Sequence, residues 1–273
     1  MKRIIITIPL FLVFLFLSCE FPDTQDNLDG ELPAVWAVFS PDKPVYVYIT
    51  KVVDFDTSIS QDSSFVHNGE LQLVWDSGQI DFVESVIDTY DFQRPVYVPQ
   101  DTSFRVQPGT EYTLVGRTSV GDFSGTFTVP DRPSFEIYPD TSVFDNQRQA
   151  AFAISVDVDP TVYEYEIYFE NIGESRDFLP DSIILMDCYD LRWPADIMPQ
   201  TVGVPWCKFY YATRYRAIVQ AQEKHFYKYL DYYYYYDDES DDSYLSPPGG
   251  DGYTGVIGAY CESVDTVEIV LGY

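Results

Sequence analysis

Histidine, carboxylate and thiol groups are the side chains here with types suited to chemistry. The chain of 273 residues has two histidines, His67 and His225, against 44 Asp and Glu. A Ser/His/Asp or Cys/His site needs its base within hydrogen-bond reach of the nucleophile. The two histidines fall in different halves of the chain, and neither sits in a Gly-x-Ser-x-Gly elbow, a His-Glu-x-x-His helix or a phosphate-binding glycine loop. His67 precedes Asn68-Gly69 and reads as a turn residue; His225 reads as a helix surface or packing residue. Paired carboxylates could serve as glycosidase acid and base. With 44 acids, however, their presence singles out no pair. The run Asp237-Asp238-Glu239-Ser240-Asp241-Asp242 offers oxygen ligands suited to Ca²⁺ but lacks the spaced ligands and central Gly of an EF-hand loop. The alternative for that run is a solvated loop. The expectation is a protein that binds rather than catalyses, with no catalytic residues, no resident metal and no cofactor beyond that Ca²⁺ option.

The thiol of Cys19 carries a sharper signal. Lys2 and Arg3 precede an apolar run from Ile4 to Leu17, and Ser18-Cys19 ends it. A positive start, a short apolar core and a small residue before the break are the parts of a secretory signal peptide. The run is shorter than the roughly 20 residues a membrane-spanning helix needs. A Cys directly after a small residue is the lipobox arrangement of bacterial lipoproteins, so residues 1–18 read as a signal peptide and Cys19 as the lipidation site. Residues 19–33, acidic and carrying Pro22, Gly30 and Pro33, read as a tether. Export permits disulfides. Of Cys188, Cys207 and Cys261, the pair nearest in sequence, Cys188 and Cys207, is the expected bond.

Composition narrows the partners. The net charge is −28, and loss of Lys2 and Arg3 makes the exported part more acidic still. Nucleic-acid binding rests on Lys and Arg neutralising phosphates, so that class is excluded. The charge favours cationic partners. Apolar residues make up 46% and aromatics 17%, enough for a packed core rather than a disordered chain.

Strand signals dominate from Ala34. Val35–Phe39, Val45–Thr50 and Leu71–Trp75 are β-branched or aromatic runs closed by turn residues. Tyr112 and Leu114 share one face of the next strand, and Phe123, Phe127 and Val129 one face of the strand after it. Short strands at this spacing predict an antiparallel β-sandwich over residues 34–130, ended by Pro130-Asp131-Arg132-Pro133. A second β-rich domain is expected over 134–273. Its strands are Ala151–Val156, Val162–Phe169 with Tyr163, Tyr165, Ile167 and Phe169 inward, and Phe209–Gln220 with Arg214 and Arg216 on one face. Two more close the chain, Tyr253–Tyr260 and Val264–Leu271. One helix is expected from about Gln222 to Tyr236, with Phe226 and Leu230 at helical spacing. That helix carries Tyr229 and Tyr232 to Tyr236, more aromatic surface than one amphipathic stripe can hide. Tyr232, Tyr233, Tyr234, Tyr235 and Tyr236 are therefore the candidate partner contact, since exposed tyrosine is apolar in body and polar at its tip.

Four segments in this order resemble a family. They are Gln107-Pro108-Gly109-Thr110-Glu111-Tyr112-Thr113-Leu114, Val156-Asp157-Val158-Asp159-Pro160, Phe226-Tyr227-Lys228-Tyr229-Leu230, and Gly252-Tyr253-Thr254-Gly255-Val256-Ile257-Gly258-Ala259-Tyr260. The chain resembles the Bacteroidetes outer-membrane lipoproteins grouped as DUF4249, a domain of unknown function. Pro247-Pro248-Gly249-Gly250 departs from that pattern. The resemblance implies an immunoglobulin-like N-terminal part, a second β-rich part, and a setting beside TonB-dependent outer-membrane transporters. The acids after Cys19 resemble a signal for display on the outer surface. The expected function is thus a binding or accessory role at the outer membrane or cell surface, anchored by the N-terminal lipid, with a β-barrel transporter as partner. A carbohydrate-binding lipoprotein using aromatic platforms is the alternative, and a hydrolase with an acidic pair the third reading.

Overall fold

The computed structural model describes residues 32–52, 64–88, 93–145, 150–174, 177–179, 188–235 and 249–271. The expected signal peptide, Cys19 and most of the tether lie outside them. The first half contributes β1 (Pro33–Phe39), β2 (Tyr48–Lys51), β3 (Glu70–Trp75), β4 (Gly78–Asp88), β5 (Gln93–Pro99), β6 (Glu111–Thr118) and β7 (Gly121–Thr128). The second half adds β8 (Ser134–Tyr138), β9 (Thr141–Val143), β10 (Ala150–Asp157), β11 (Glu164–Asn171), β12 (Arg192–Pro194) and β13 (Thr201–Pro205). Then come β14 (Arg214–Gln222), the helix α1 (Lys224–Tyr235), β15 (Gly249–Gly250) and β16 (Tyr253–Val270). The protein is mainly β: a largely antiparallel β-sandwich followed by a second β-rich part, with one full helix among the described residues.

Three sheets build these cores. The largest runs β12-β11-β14-β16-β1-β2, with β15 and β9 also on β16. A five-stranded sheet runs β5-β4-β3-β6-β7, and a three-stranded sheet β13-β10-β8. Period-2 alternation decides which faces meet. In β1 the side chains of Val35, Ala37 and Phe39 are buried while their neighbours are half-covered. Phe39 stacks on Phe127 of the five-stranded sheet at 4.6 Å between ring centres. The two sheets of this first sandwich touch at both margins, through single bridges from Val47 to Tyr97 and from Ser124 to Asp251.

The final strand does not respect the division expected after residue 130. Tyr253, Ile257 and Ala259 of β16 belong to the first core, and Val267 and Ile269 to the second. All five have the same parity, so both cores lie on one side of this strand. Nor is β16 two strands. Glu262 and Ser263 interrupt the apolar pattern yet stay in the ladder, paired with Gln220 and Val219 of β14. The glycines that precede this stretch have a local cause. Gly255 has φ +102°, and a Cβ there would lie 2.2 Å from the carbonyl oxygen of Val35. Only glycine fits a positive φ at such an approach.

Other expectations shift by a few residues. The strand expected from Phe209 begins at Arg214, because residues 209–213 run as bends with a single bridge from Tyr211 to Phe178. The strand expected from Val45 begins at Tyr48. Tyr165 and Ile167 point inward, whereas Tyr163 precedes β11 and is 39% exposed.

Three tyrosines at strand starts lock the loops that feed them. The Tyr112 hydroxyl accepts the backbone N–H of Gln107 at 2.9 Å, and the Tyr165 hydroxyl that of Asp159 at 2.9 Å. Tyr215 makes the same kind of bond to Tyr211 at 3.1 Å. A buried strand-start tyrosine bonded back to upstream backbone is the tyrosine corner of immunoglobulin-like sandwiches.

Candidate functional site

Where the two cores meet, the chain leaves a cleft of about 720 Å³. One wall is the end of β7, Thr126 to Val129, with Pro130 and Asp131. The opposite wall is the turn Pro160–Tyr163 that enters β11, and Glu223, Lys224 and His225 at the start of α1 close the end. The size falls within the range of about 300–1,000 Å³ common for ligand sites, and domain junctions are a usual place for them. Glu111 and Asp131 are exposed carboxylates in this cleft, and Thr126 and Thr128 are exposed as well.

The start of α1 is held by one acid. The Glu223 carboxylate accepts the backbone N–H of His225 at 2.8 Å and contacts its Nδ1 at 2.7 Å. The first N–H groups of a helix have no partner within it, and an acceptor placed there supplies one. The hydrogen bond from Glu223 holds the His225 pKa above its ordinary 6.5, against the opposing pull of desolvation and of Lys228 and Lys224. Tyr163 packs on Tyr227 with ring centres 4.8 Å apart, tying the cleft wall to the helix.

Beneath α1 the sheet is polar. Phe226 stacks on Tyr260 of β16 at 5.2 Å, and the helix comes so close that a Cβ on Gly258 would lie 2.8 Å from the Phe226 nitrogen. Beyond this contact runs a ladder of side-chain bonds. Gln222 donates to Glu166 at 2.9 Å and to Gln220 at 2.7 Å, and Gln220 donates to Glu262 at 2.9 Å. Tyr168 donates to Glu262 at 2.6 Å; burial, aided by this bond, pushes its phenol well above its ordinary range. Arg192 binds Glu164 at 2.7 Å and lies over the Tyr227 ring at 5.8 Å. Burial raises the Glu164 carboxyl above its ordinary value, with Arg192 pulling it back. These carboxylates are engaged in joining strands, so their chemistry is structural. Among the described residues no group of three or more His, Cys, Asp or Glu is placed to hold a metal.

The expected site residues scatter. Cys188 and Cys207 form a disulfide, with Cα atoms 5.7 Å apart. Cys261 is buried and unpaired in β16, and burial pushes its thiol up to about 11. Tyr232 is half-buried on α1, and Tyr233, Tyr234 and Tyr235 continue that helix. Tyr236, the acidic run 237–242 and Cys19 lie outside the described residues. His67 belongs to the first half, beside Asn68 at φ 58°, with Glu84 at 3.1 Å and Phe65 edge-on at 4.8 Å. The cleft itself went unread in the sequence. Its signal was the stop Pro130-Asp131-Arg132-Pro133, which marks where two packed bodies adjoin and so where a crevice forms.

No family model matches the chain, and no curated protein matches it. Among solved structures, the full ectodomain (Ig1–Ig3) of mouse nectin-like molecule 4 aligns with 11% identity and a TM-score of 0.21. The alignment covers 89% of this chain, which spans 65% of that ectodomain.

Proposed function

We propose that this chain is a lipid-anchored binding protein of the bacterial outer membrane or cell surface, non-enzymatic, and accessory to a β-barrel transporter of the TonB-dependent kind. The observation that carries the binding reading is the cleft of about 720 Å³ between the cores, walled by Thr126, Asp131, Tyr163 and His225 and adjoining the tyrosine-rich helix. Support for the location comes from Lys2-Arg3, the apolar run and Ser18-Cys19, and support for the transporter from the family resemblance alone. A lipid on Cys19 would hold a folded module at a membrane without inserting it. The test is a comparison of wild type with Cys19→Ser. The variant should lose acylation and leave the membrane fraction, and wild type from detergent-solubilised membranes should recover a β-barrel protein. Retention of the variant on salt-washed membranes would make the apolar segment the anchor, and recovery of no barrel would remove the transporter.

One observation favours the carbohydrate alternative. Phe178 and Tyr211 pack at 4.8 Å between ring centres, and Phe178 and neighbouring Tyr210 are 69% and 62% exposed. Such rings can stack on sugar faces. Retention on a glycan column that Tyr210→Ala abolishes would favour that reading over the accessory one.

A further inference from the structure

We infer that the cleft takes an extended, basic polypeptide segment, which adds as a strand to the open edge of β7. The inference deepens the binding reading above and rests on it, because it names the class of partner and the atoms that hold it. Among the described residues β7 is the last strand of the five-stranded sheet, laddered only with β6. Alternation along an antiparallel pair fixes which groups face outward. Val129 donates to Thr110 and accepts from Gly109, so Val129, Phe127 and Gly125 direct their backbone groups toward β6. Ser124, Thr126 and Thr128 direct theirs the other way. Ser124 confirms it, since its N–H reaches Asp251 at 3.0 Å. Past that bridge the edge opens into the cleft, and Thr126 and Thr128 line it.

An open edge presents a row of N–H and C=O groups to whatever extended chain lies beside it. Strand addition uses those groups for affinity and the flanking side chains for choice. Here the flanking groups choose charge and shape. Glu111 and Asp131 stand exposed on the β7 side of the cleft, in a chain of net charge −28. His225 and Glu223 already engage each other, which leaves Lys224 as the opposing cation of the lining. Tyr163 and Pro160 on the far wall supply apolar surface for side chains that alternate away from the edge. A Lys- or Arg-bearing strand meets all three conditions. A folded, globular surface would not reach the Thr126 and Thr128 backbone between these walls.

The experiment uses the full chain, purified in detergent, and three synthetic probes. The first is an octapeptide of alternating Lys and Val. The second is the same peptide N-methylated at every amide, which keeps the charge and removes the N–H groups of both strand edges. The third replaces Lys by Glu. Binding is read by calorimetry, and the site by hydrogen exchange at the Thr126 and Thr128 amides. The Lys peptide should bind and protect those two amides; the methylated peptide should bind about tenfold more weakly, as loss of two backbone hydrogen bonds implies, and the Glu peptide should bind more weakly because its charge has the sign of Glu111 and Asp131. Thr126→Pro removes one outward N–H at an edge position where proline is tolerated, and should weaken the Lys peptide by about threefold, as loss of one such bond implies. Glu111→Lys should weaken it without changing the fold. Equal binding of the methylated peptide, or binding without protection of Thr126 and Thr128, overturns strand addition; should Thr126→Pro fail to fold, those two arms still decide. No binding of the Lys peptide overturns it too. The barrel capture above is run with the same variants. Capture that survives Thr126→Pro while the peptide arms fail sinks this inference and leaves the proposed function standing. Failed capture with intact peptide binding does the reverse.

Discussion

Arg192 stands across from Glu166 in the β11–β12 ladder, yet its Nε reaches diagonally to Glu164 at 2.7 Å. Glu166 is left to Gln222 from the other neighbouring strand. The side chains of Glu164 and Arg192 are only 5% and 14% exposed, so each charge depends on the other. Removing one partner of a buried pair costs about 3–5 kcal/mol, whereas replacing both by apolar groups is often neutral. Arg192→Met should therefore lower the urea midpoint sharply, and adding Glu164→Leu should restore most of the loss. Equal losses in the single and double variants would show that the pair is not coupled. The pH dependence has a definite sign. Glu164 in the fold titrates above its ordinary 4.5, so its contribution is full below that value and is lost as pH rises through the raised one. Arg192→Met, which removes the group that pulls this pKa down, should cost most near neutral pH and least in mild acid.

The tyrosine corners make a second prediction. Tyr112→Phe keeps the ring in the first core and leaves the Gln107 N–H without its acceptor. Gln107 is exposed, so the expected loss is about 0.5–1.5 kcal/mol, the net worth of one hydrogen bond. Tyr165→Phe should behave alike through Asp159. Denaturant unfolding measures both, and a loss under a few tenths of a kcal/mol would show that water replaces the phenol at no cost.

Gly255→Ala should be the most damaging of the conservative changes in β16. The new Cβ meets backbone of β1 rather than a side chain that can turn aside. Strain at such a φ costs about 1–3 kcal/mol before the clash is counted. Thermal unfolding should show a clear drop in midpoint, and wild-type behaviour would mean that β1 moves freely against β16.

The fourth prediction concerns the helix start. Glu223→Gln removes the charge that raises His225, so the His225 titration should move down toward 6.5, as read by NMR. Because the folded value is the raised one, the pair stabilises α1 fully below the ordinary pKa and loses that contribution as pH rises through the shifted value. The His225 side chain is 45% exposed, which keeps the effect small. An unmoved titration would assign the shift to another cause.

Much of this fold was legible because hydropathy alternates where one strand face is buried. Tyr112 with Leu114, and Phe123 with Phe127 and Val129, showed their inward faces in the sequence and are buried. β4 and β5 were missed, since most of β4 is exposed and its apolar alternation, Ile80 and Phe82, breaks at Val83. The continuity of β16 was hidden for the opposite reason. Glu262 is polar and buried, and it is satisfied by Tyr168 and Gln220 from distant strands, which no local window can reveal. The helix was found because Phe226 and Leu230 are spaced for it. The cleft was not, since its walls come from segments far apart in sequence, around Thr126, Pro160 and Lys224.

The long strand β16 also governs the order in which this chain can fold. The first core lacks Tyr253, Ile257 and Ala259 until nearly the whole sequence is available, although its other residues come from the N-terminal half. Contacts of such long sequence separation slow folding, because the intervening chain must be closed before they form. A chain made N-terminus first thus has a leading half that cannot close early. The half-sandwich stays open until its last strand arrives, and both cores then close on the same strand.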